Sequence, residues 1–174
     1  FAYEHYGVEA DLVICGKGIS GSLPLSAVIG RGDIIDLDPA YTSTHGGHPL
    51  ACVAGLANLE IFEEEKLVDA AAIKSSIVLD HVRHWKEILP DRIGRVMGKG
   101  LVWGIFLEHP NSPDSLDTVF CDKVIERCLQ KGVFSIRTGR GTLKLGPPLN
   151  IPDEALSEAL SVIGESLLEI NSEE

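Results

Sequence analysis

The chain has 174 residues, of which 44% are hydrophobic and 24% charged, a balance typical of a folded globular protein rather than a disordered one. Its formal net charge at pH 7 is −11. A protein that binds a phosphate backbone or an anionic membrane surface needs the opposite sign, so neither partner is expected. No apolar run approaches the roughly 20 residues that a membrane-spanning helix needs, so no membrane segment is predicted.

Cysteines and histidines provide no predicted metal site. The four cysteines are widely spaced and form no CxxC pair, which favours free thiols in a reducing cytoplasm. His45 and His48 have H-x-x-H spacing but no third ligand nearby in sequence. We therefore expect these histidines to form loop hydrogen bonds.

Two short apolar runs near the start of the chain predict strands. Residues 11–15 (DLVIC) and 25–30 (LSAVIG) have apolar side chains at successive positions. Apolar character on both faces predicts a sheet that is covered on both sides, as in α/β folds.

Helical periodicity begins at Pro49, which suits the first position of a helix because proline lacks an N–H there. Apolar residues then fall on one helical face, at positions 50, 53, 54, 57 and 61. A second helical pattern covers roughly residues 67–89, and Pro90 ends it.

The residues from about 90 onward predict a compact αβ unit. Residues 94–107 resemble two strands around a glycine turn. Residues 118–130 predict an amphipathic helix that Gly132 can cap, with an apolar face formed by Val119, Ile125, Cys128 and Leu129. Residues 133–137 and 142–145 predict strands. A last helix after Pro152 carries an apolar stripe at Leu156, Leu160, Ile163 and Leu167.

The glycine–lysine loop 16–21 (GKGISG) contains the most distinctive chemistry. A dinucleotide-binding G-x-G-x-x-G should open a helix, but a strand-like segment follows this one, and the phosphate-binding P-loop pattern fails at Asp11. One remaining interpretation is a solvated lysine in a surface turn. The other is a partly desolvated Lys17 at the end of a buried strand, whose neutral amine can form a Schiff base with a carbonyl cofactor.

Four ordered segments resemble the class III pyridoxal-phosphate aminotransferases. They are residues 10–31 (ADLVICGKGISGSLPLSAVIGR), 41–51 (YTSTHGGHPLA), 98–107 (GKGLVWGIFL) and 143–151 (LKLGPPLNI). The resemblance implies an α/β fold that is the C-terminal part of a fold type I PLP-dependent transferase. It assigns residues 1–48 to the end of the large cofactor-binding domain and its sheet, 49–89 to the linking helices, and 90–174 to the small C-terminal αβ domain.

The same resemblance implies roles for individual residues. Lys17 matches the lysine that forms the Schiff base with pyridoxal 5'-phosphate and moves the proton. Thr44 matches the threonine that binds the phosphate of the neighbouring subunit, with Ser43 assisting through its backbone N–H. The active site is thus expected at the interface of a homodimer.

Three departures from the family pattern carry information. His45 stands where the family usually has an aromatic residue. Lys144 occupies the position of an arginine that grips the substrate carboxylate; lysine keeps the charge but loses the bidentate fork. It can equally be a solvated strand lysine, and Arg137 or Arg140 can take over the role. The aspartate that pairs with the cofactor ring, which precedes the family's equivalent of residues 1–7 (FAYEHYG), is not among the 174 residues.

The predicted function is transamination between an amine or amino acid and a keto acid or aldehyde, carried out by the full enzyme. The missing ring aspartate makes a separate N-terminal fragment one possible partner. Two alternatives stay open: a lyase, decarboxylase or racemase on the same scaffold, and a catalytically inactive fragment that acts as an assembly or interaction module.

Overall fold

A computed structural model of the chain describes residues 1–38, 43–139 and 141–174. The chain divides into two compact units, Phe1–Lys66 and Leu67–Glu174. The two predicted helical segments therefore belong to different units, one at the end of the first and one at the start of the second.

The first unit contains two short strands and a long helix. Its elements are a 3₁₀ helix Ala2–Tyr6, β1 Leu12–Cys15, a 3₁₀ turn Lys17–Ser20, β2 Ala27–Gly30, α1 Gly32–Ile35 and α2 Pro49–Glu64. β1 and β2 pair antiparallel, with Leu12 opposite Gly30 and Cys15 opposite Ala27. The two predicted strands are therefore present.

The prediction that these strands are buried in a covered sheet is wrong for this chain. Ile14, Val28 and Ile29 are each more than half exposed. A strand face becomes buried only when another layer packs on it, and α2 packs on the 3₁₀ turn after β1 instead. The apolar side chains of the pair consequently face outward.

Helix α2 is correctly predicted, but the predicted packing face is wrong. Leu50, Val53 and Ile61 from the apolar face are exposed, whereas Ala51 and Gly55 are buried. The small residues allow a close approach, since a Cβ on Gly55 would lie 3.0 Å from the Cδ2 atom of Leu25. Close backbone packing, rather than large apolar side chains, therefore orients this helix within its unit.

The second unit is an antiparallel sheet packed with three helices. Its elements are α3 Leu67–Ile88, β3 Ile93–Lys99, β4 Val102–His109, β5 Ser112–Leu116, α4 Thr118–Gln130, β6 Ile136–Thr138, β7 Thr142–Leu145 and α5 Asp153–Ser172. The strand order is β3-β4-β7-β6, and β5 pairs with β4. The predicted helices and strands are confirmed, although β6 starts three residues later than predicted. Strand β5 was not predicted because its residues, SPDSL, have no alternating apolar pattern.

The core of the second unit lies between the sheet and its helices. Trp85 of α3, Phe120 of α4 and Ile105 of β4 are fully buried. The predicted α5 stripe is confirmed, since Leu156, Leu160, Ile163 and Leu167 are all buried. No helix in the described ranges combines the length and the apolar character needed to cross a membrane.

The guanidinium of Arg92 is a buried cation at the edge of this core, where it contacts several side chains. The Arg92 guanidinium donates to Asp117 Oδ2 at 3.0 Å and to Asn171 Oδ1 at 2.9 Å, and it also pairs with Glu174. It lies over the Phe120 ring, 4.2 Å from the centroid. Asp117 in turn caps α4 by accepting the Phe120 N–H at 2.9 Å. The ion pair is thus satisfied on both sides, as burial of charge requires.

Candidate functional site

Lys17 begins the 3₁₀ turn directly after β1, and its backbone is in the left-handed region with φ 50°. For a residue with a Cβ, this conformation costs roughly 1–2 kcal/mol. The glycines on either side, Gly16 and Gly18, have open space where a Cβ would point. Lys17 is therefore held in a strained conformation without steric walls next to it, a combination that tends to occur at functional positions.

Hydrogen bonds inside the loop define the turn that follows Lys17. The Ile19 N–H donates to the Gly16 carbonyl at 3.3 Å, and the Gly21 N–H donates to the Gly18 carbonyl at 3.0 Å. The buried Ser20 hydroxyl donates to the carbonyl of Leu23. The turn is thus a defined backbone structure rather than a loose connection.

Asn58 of α2 adds a contact from outside the loop. Its side-chain amide donates to the Gly18 carbonyl at 2.9 Å and to the Ile19 carbonyl at 3.3 Å. Sequence reasoning missed this residue because the predicted face of α2 consists of apolar residues, and the polar Asn58 lies beside that face. Its spacing from Ala51 and Gly55 places all three on one stripe, and the small residues in that stripe are the signal that could have identified it.

The expectation that Lys17 is desolvated at the end of a buried strand does not hold for this chain, because its side chain is exposed. An exposed primary amine with open space beside it can reach a carbonyl ligand. The residues around Lys17 therefore fit a ligand that binds lysine covalently through an aldehyde.

The segment with Ser43 and Thr44 forms an exposed turn before α2. The Gly46 N–H donates to the Ser43 carbonyl at 3.2 Å, and a Cβ on Gly46 would lie 2.7 Å from Ser43 Oγ. Ser43 and Thr44 are both exposed. Hydroxyl and amide donors of small residues suit a phosphate group, because they approach its oxygens closely. Tyr41 and Thr42 of the family-like segment lie outside the described residues.

Lys17, Ser43 and Thr44 belong to the first unit, whereas Lys144 lies in the second. In the described residues, no hydrogen bond or ion pair joins Lys17 to Ser43 or Thr44. Lys144 is an exposed residue of β7, opposite Gly104 and Ile136 in register.

Lys144 lines a cavity of about 460 Å³ within the second unit, and it is the charged residue among the described lining residues. Arg137, the proposed substitute, is already committed, because its Nε atom donates to Asp122 Oδ1 at 2.6 Å. Arg140 lies outside the described residues. Lys144 is thus better placed than Arg137 to offer a free cation.

Neither a metal cluster nor the two cysteines of α4 provide a second reactive group in the described residues. No three His, Cys, Asp or Glu side chains cluster as metal ligands within residues 1–38, 43–139 and 141–174. All four cysteines are free, but burial raises the pKa of Cys121 to about 12 and also raises that of Cys128. These two thiols are therefore poor nucleophiles near neutral pH.

Comparison with known proteins agrees with the predicted resemblance. The family model described as Aminotransferase class-III matches residues 1–167. A 2-aminoadipate transaminase from Pseudomonas putida is 32% identical over 176 residues, covering 98% of this chain and 42% of the relative. A leucine/methionine racemase from Thermococcus litoralis is 33% identical over 172 residues, covering 98% of this chain and 39% of the relative.

Solved structures show the same likeness in three dimensions. An ornithine aminotransferase from Toxoplasma gondii, with PLP at partial occupancy in its active site, has a TM-score of 0.88 and 31% identity. The match covers 99% of this chain and 40% of that one, which confirms the predicted fold class. This chain thus spans about two fifths of the length of these relatives. With a family match over nearly its whole length, the chain belongs to the class III aminotransferases.

Proposed function

We propose that this chain supplies the cofactor-binding lysine and a phosphate-binding turn of a pyridoxal-phosphate-dependent aminotransferase. The observation that carries the proposal is Lys17: an exposed amine at a strand end, with φ 50° and open space beside it. It lies in a chain that the class III family model matches over residues 1–167. The Toxoplasma relative, which has PLP in its active site, supports the choice of cofactor.

Each residue has a distinct task in this proposal. Bound pyridoxal phosphate supplies an aldehyde that condenses with amines and a ring that withdraws electrons from the substrate carbon. The Lys17 Nζ atom would hold the cofactor covalently and, once free, would serve as the base that moves a proton. Ser43 and Thr44 bind the phosphate through the backbone N–H and the hydroxyl respectively. Lys144 offers a single positive charge to a substrate carboxylate, without the two-point grip of arginine.

The proposed enzyme needs more than these residues. Since the chain spans about two fifths of its relatives, we infer that the ring-binding aspartate comes from outside the 174 residues, in the same polypeptide or in a separate N-terminal one. We propose a homodimer whose active site lies at the subunit interface, supported by the exposed Leu50, Val53 and Leu56 of α2. The domain division at 48/49 and 89/90 remains a prediction. The free cysteines support the cytoplasm as the proposed compartment.

Covalent capture tests the role of Lys17. The protein that contains this chain is mixed with pyridoxal phosphate, reduced with borohydride, digested, and analysed by mass spectrometry. We expect the cofactor mass on the peptide that carries Lys17, and its loss in Lys17→Ala. Lys66 is a matched control, because it is also exposed, belongs to the same unit and has φ 49°; Lys66→Ala should keep the labelling. Label spread over many lysines would refute the proposed site.

Product analysis then identifies the reaction. Transamination predicts that amino nitrogen moves from the donor to an added keto acid, with one keto product formed for each amine formed. Released ammonia or carbon dioxide would indicate a lyase or decarboxylase, and inversion of a chiral amino acid without net transfer would indicate a racemase. A protein that captures no cofactor and forms none of these products would support the alternative of a catalytically inactive fragment.

A further inference from the structure

We propose that Asn58 is a positioning residue for Lys17: its side-chain amide holds the turn that keeps the lysine backbone in the left-handed conformation. The inference rests on the proposed function, in which Lys17 binds the cofactor. It concerns a residue of α2 that lies 40 positions from Gly18 in the chain.

The contact links one side chain to two consecutive peptide groups. The Nδ2 atom of Asn58 lies 2.9 Å from the Gly18 carbonyl oxygen and 3.3 Å from that of Ile19. The Gly18 oxygen also accepts the Gly21 N–H at 3.0 Å, so both of its lone pairs are engaged. Asn58 therefore binds the two residues that directly follow Lys17.

The turn needs such support because local sequence does not favour it. Lysine disfavours a φ of 50°, and the flanking Gly16 and Gly18 impose no steric constraint. A released turn would let Lys17 return to an ordinary negative φ, which would redirect its Cβ and hence its Nζ. Hydrogen bonds that fix the following peptides are what keep the amine aimed in one direction.

Small residues of α2 allow the helix to pack closely on the loop, which brings Asn58 to the turn. Gly55 and Ala51, one and two helical turns before Asn58, are buried, and a Cβ on Gly55 would have Leu25 and the Ile19 carbonyl as its nearest neighbours. On the other side, a Cβ on Gly21 would lie 3.4 Å from Asn58 Oδ1. Helix and loop are thus in direct contact around this amide.

The first test needs no cofactor. Asn58→Leu removes the donor at similar size, and Asn58→Asp replaces it with an anionic oxygen next to two carbonyl oxygens. We expect hydrogen exchange at the Ile19 and Gly21 amides to become about tenfold faster in both variants, the effect of losing one to two ordinary hydrogen bonds. Exchange in α5, in the other unit, should not change. Glu60→Ala, an exposed change on the same helix, is the control and should match the wild type.

The second test measures how fast the Lys17 amine binds pyridoxal phosphate. Borohydride trapping at several pH values measures the rate at which pyridoxal phosphate binds to Lys17. This rate should fall about tenfold in Asn58→Leu and in Asn58→Asp. Asn58→Gln keeps the donor on a longer side chain and should recover part of the rate. Trapping rates and pH profiles equal to those of Glu60→Ala, with unchanged exchange, would overturn the positioning role.

The two readouts separate this inference from the proposed function. If the wild type captures no cofactor at Lys17, the proposed function fails, while the exchange rates still show whether Asn58 holds the turn. If capture occurs normally in every Asn58 variant, the proposed function stands and the positioning role fails. If Asn58→Leu unfolds, the comparison of Asn58→Asp with Asn58→Gln decides the question.

Discussion

Replacement of Gly164 by alanine should destabilise the second unit, although helix propensity alone predicts the opposite. Gly164 lies within α5, where alanine is favoured over glycine by about 1 kcal/mol. A Cβ at this position, however, would lie 2.5 Å from Nε1 and 3.1 Å from Cδ1 of Trp85. The indole is rigid and almost completely buried, so it cannot rotate into solvent to make space.

The magnitude follows from these opposing effects. Overpacking a dense core costs about 1–3 kcal/mol, and a contact this short on a rigid ring belongs near the upper end. After subtraction of the propensity gain, the free energy of unfolding should fall by about 2 kcal/mol. For a protein of this size that lowers Tm by about 4–8 °C.

Thermal unfolding followed by circular dichroism measures the change, with Ser161→Ala as the control. Ser161 is an exposed residue of the same helix, so its replacement should alter stability by less than about 0.5 kcal/mol. In a Trp85→Phe background, which removes the Nε1 contact but keeps a Cδ1 atom, Gly164→Ala should destabilise the protein less than it does in the wild type. A higher Tm for Gly164→Ala in the wild-type background would refute the packing argument.

Two further predictions concern charge in the second unit. Arg92→Met should reduce stability by about 3–5 kcal/mol because it removes the guanidinium that pairs with the buried Asp117 carboxylate and leaves only the half-exposed His109 Nδ1, at 3.0 Å, beside the same oxygen. Arg95→Met, at an exposed position, should have little effect. Addition of Asp117→Asn to Arg92→Met should restore part of the loss in urea titrations. Hydrogen bonds from Lys131 and Arg127 lower the pKa of Glu169, and Lys123, followed by Arg92, lowers that of Glu174. Since both folded-state pKa values lie below the usual range, their contribution to stability is present above the ordinary carboxyl pKa near 4.5 and is lost as pH falls through the lowered values. As pH falls below about 4.5, Tm should therefore decrease less steeply in Glu169→Gln than in the wild type. Parallel curves of Tm against pH would show that the ion pairs of Glu169 do not contribute to stability.

The second unit could be predicted well because its elements carry complete local signals. The predicted helix over residues 118–130 matches α4 at both ends, with Asp117 as the side-chain cap and Gly132 at φ 88° just beyond. The predicted α5 stripe is buried within the same unit, but Val119 and Leu129 of the predicted α4 face are exposed. The buried residues of α4 are Phe120, Cys121, Val124 and Cys128. Periodicity therefore predicts the buried face of α5, whereas for α4 it predicts the helix and its ends but not the whole buried face.

The first unit followed the sequence pattern less closely. Apolar residues of β1, β2 and α2 predict burial, but the pattern cannot show which surface covers them, and in this chain they are exposed. The location of Lys17 in a turn after a strand could be predicted from the sequence, and its role in binding a cofactor stays a prediction. Its left-handed backbone and the Asn58 contact could not be predicted, because both depend on a helix that is distant in sequence and near in space.

Helix α2 connects two features of the first unit, the exposed apolar side chains and the Asn58 contact with the turn of Lys17. Its Ala51, Gly55 and Asn58 stripe packs on the turn of Lys17, which leaves Leu50, Val53 and Leu56 exposed on other faces. A helix with apolar residues on several sides is typical of one that is buried on several sides. Under the proposed function, a surface that packs on Leu50, Val53 and Leu56 would hold α2 against the turn of Lys17. This packing would stabilise the Asn58 hydrogen bonds. Assembly of the enzyme and alignment of its lysine would then depend on the same helix, with the amide of Asn58 as the direct connection.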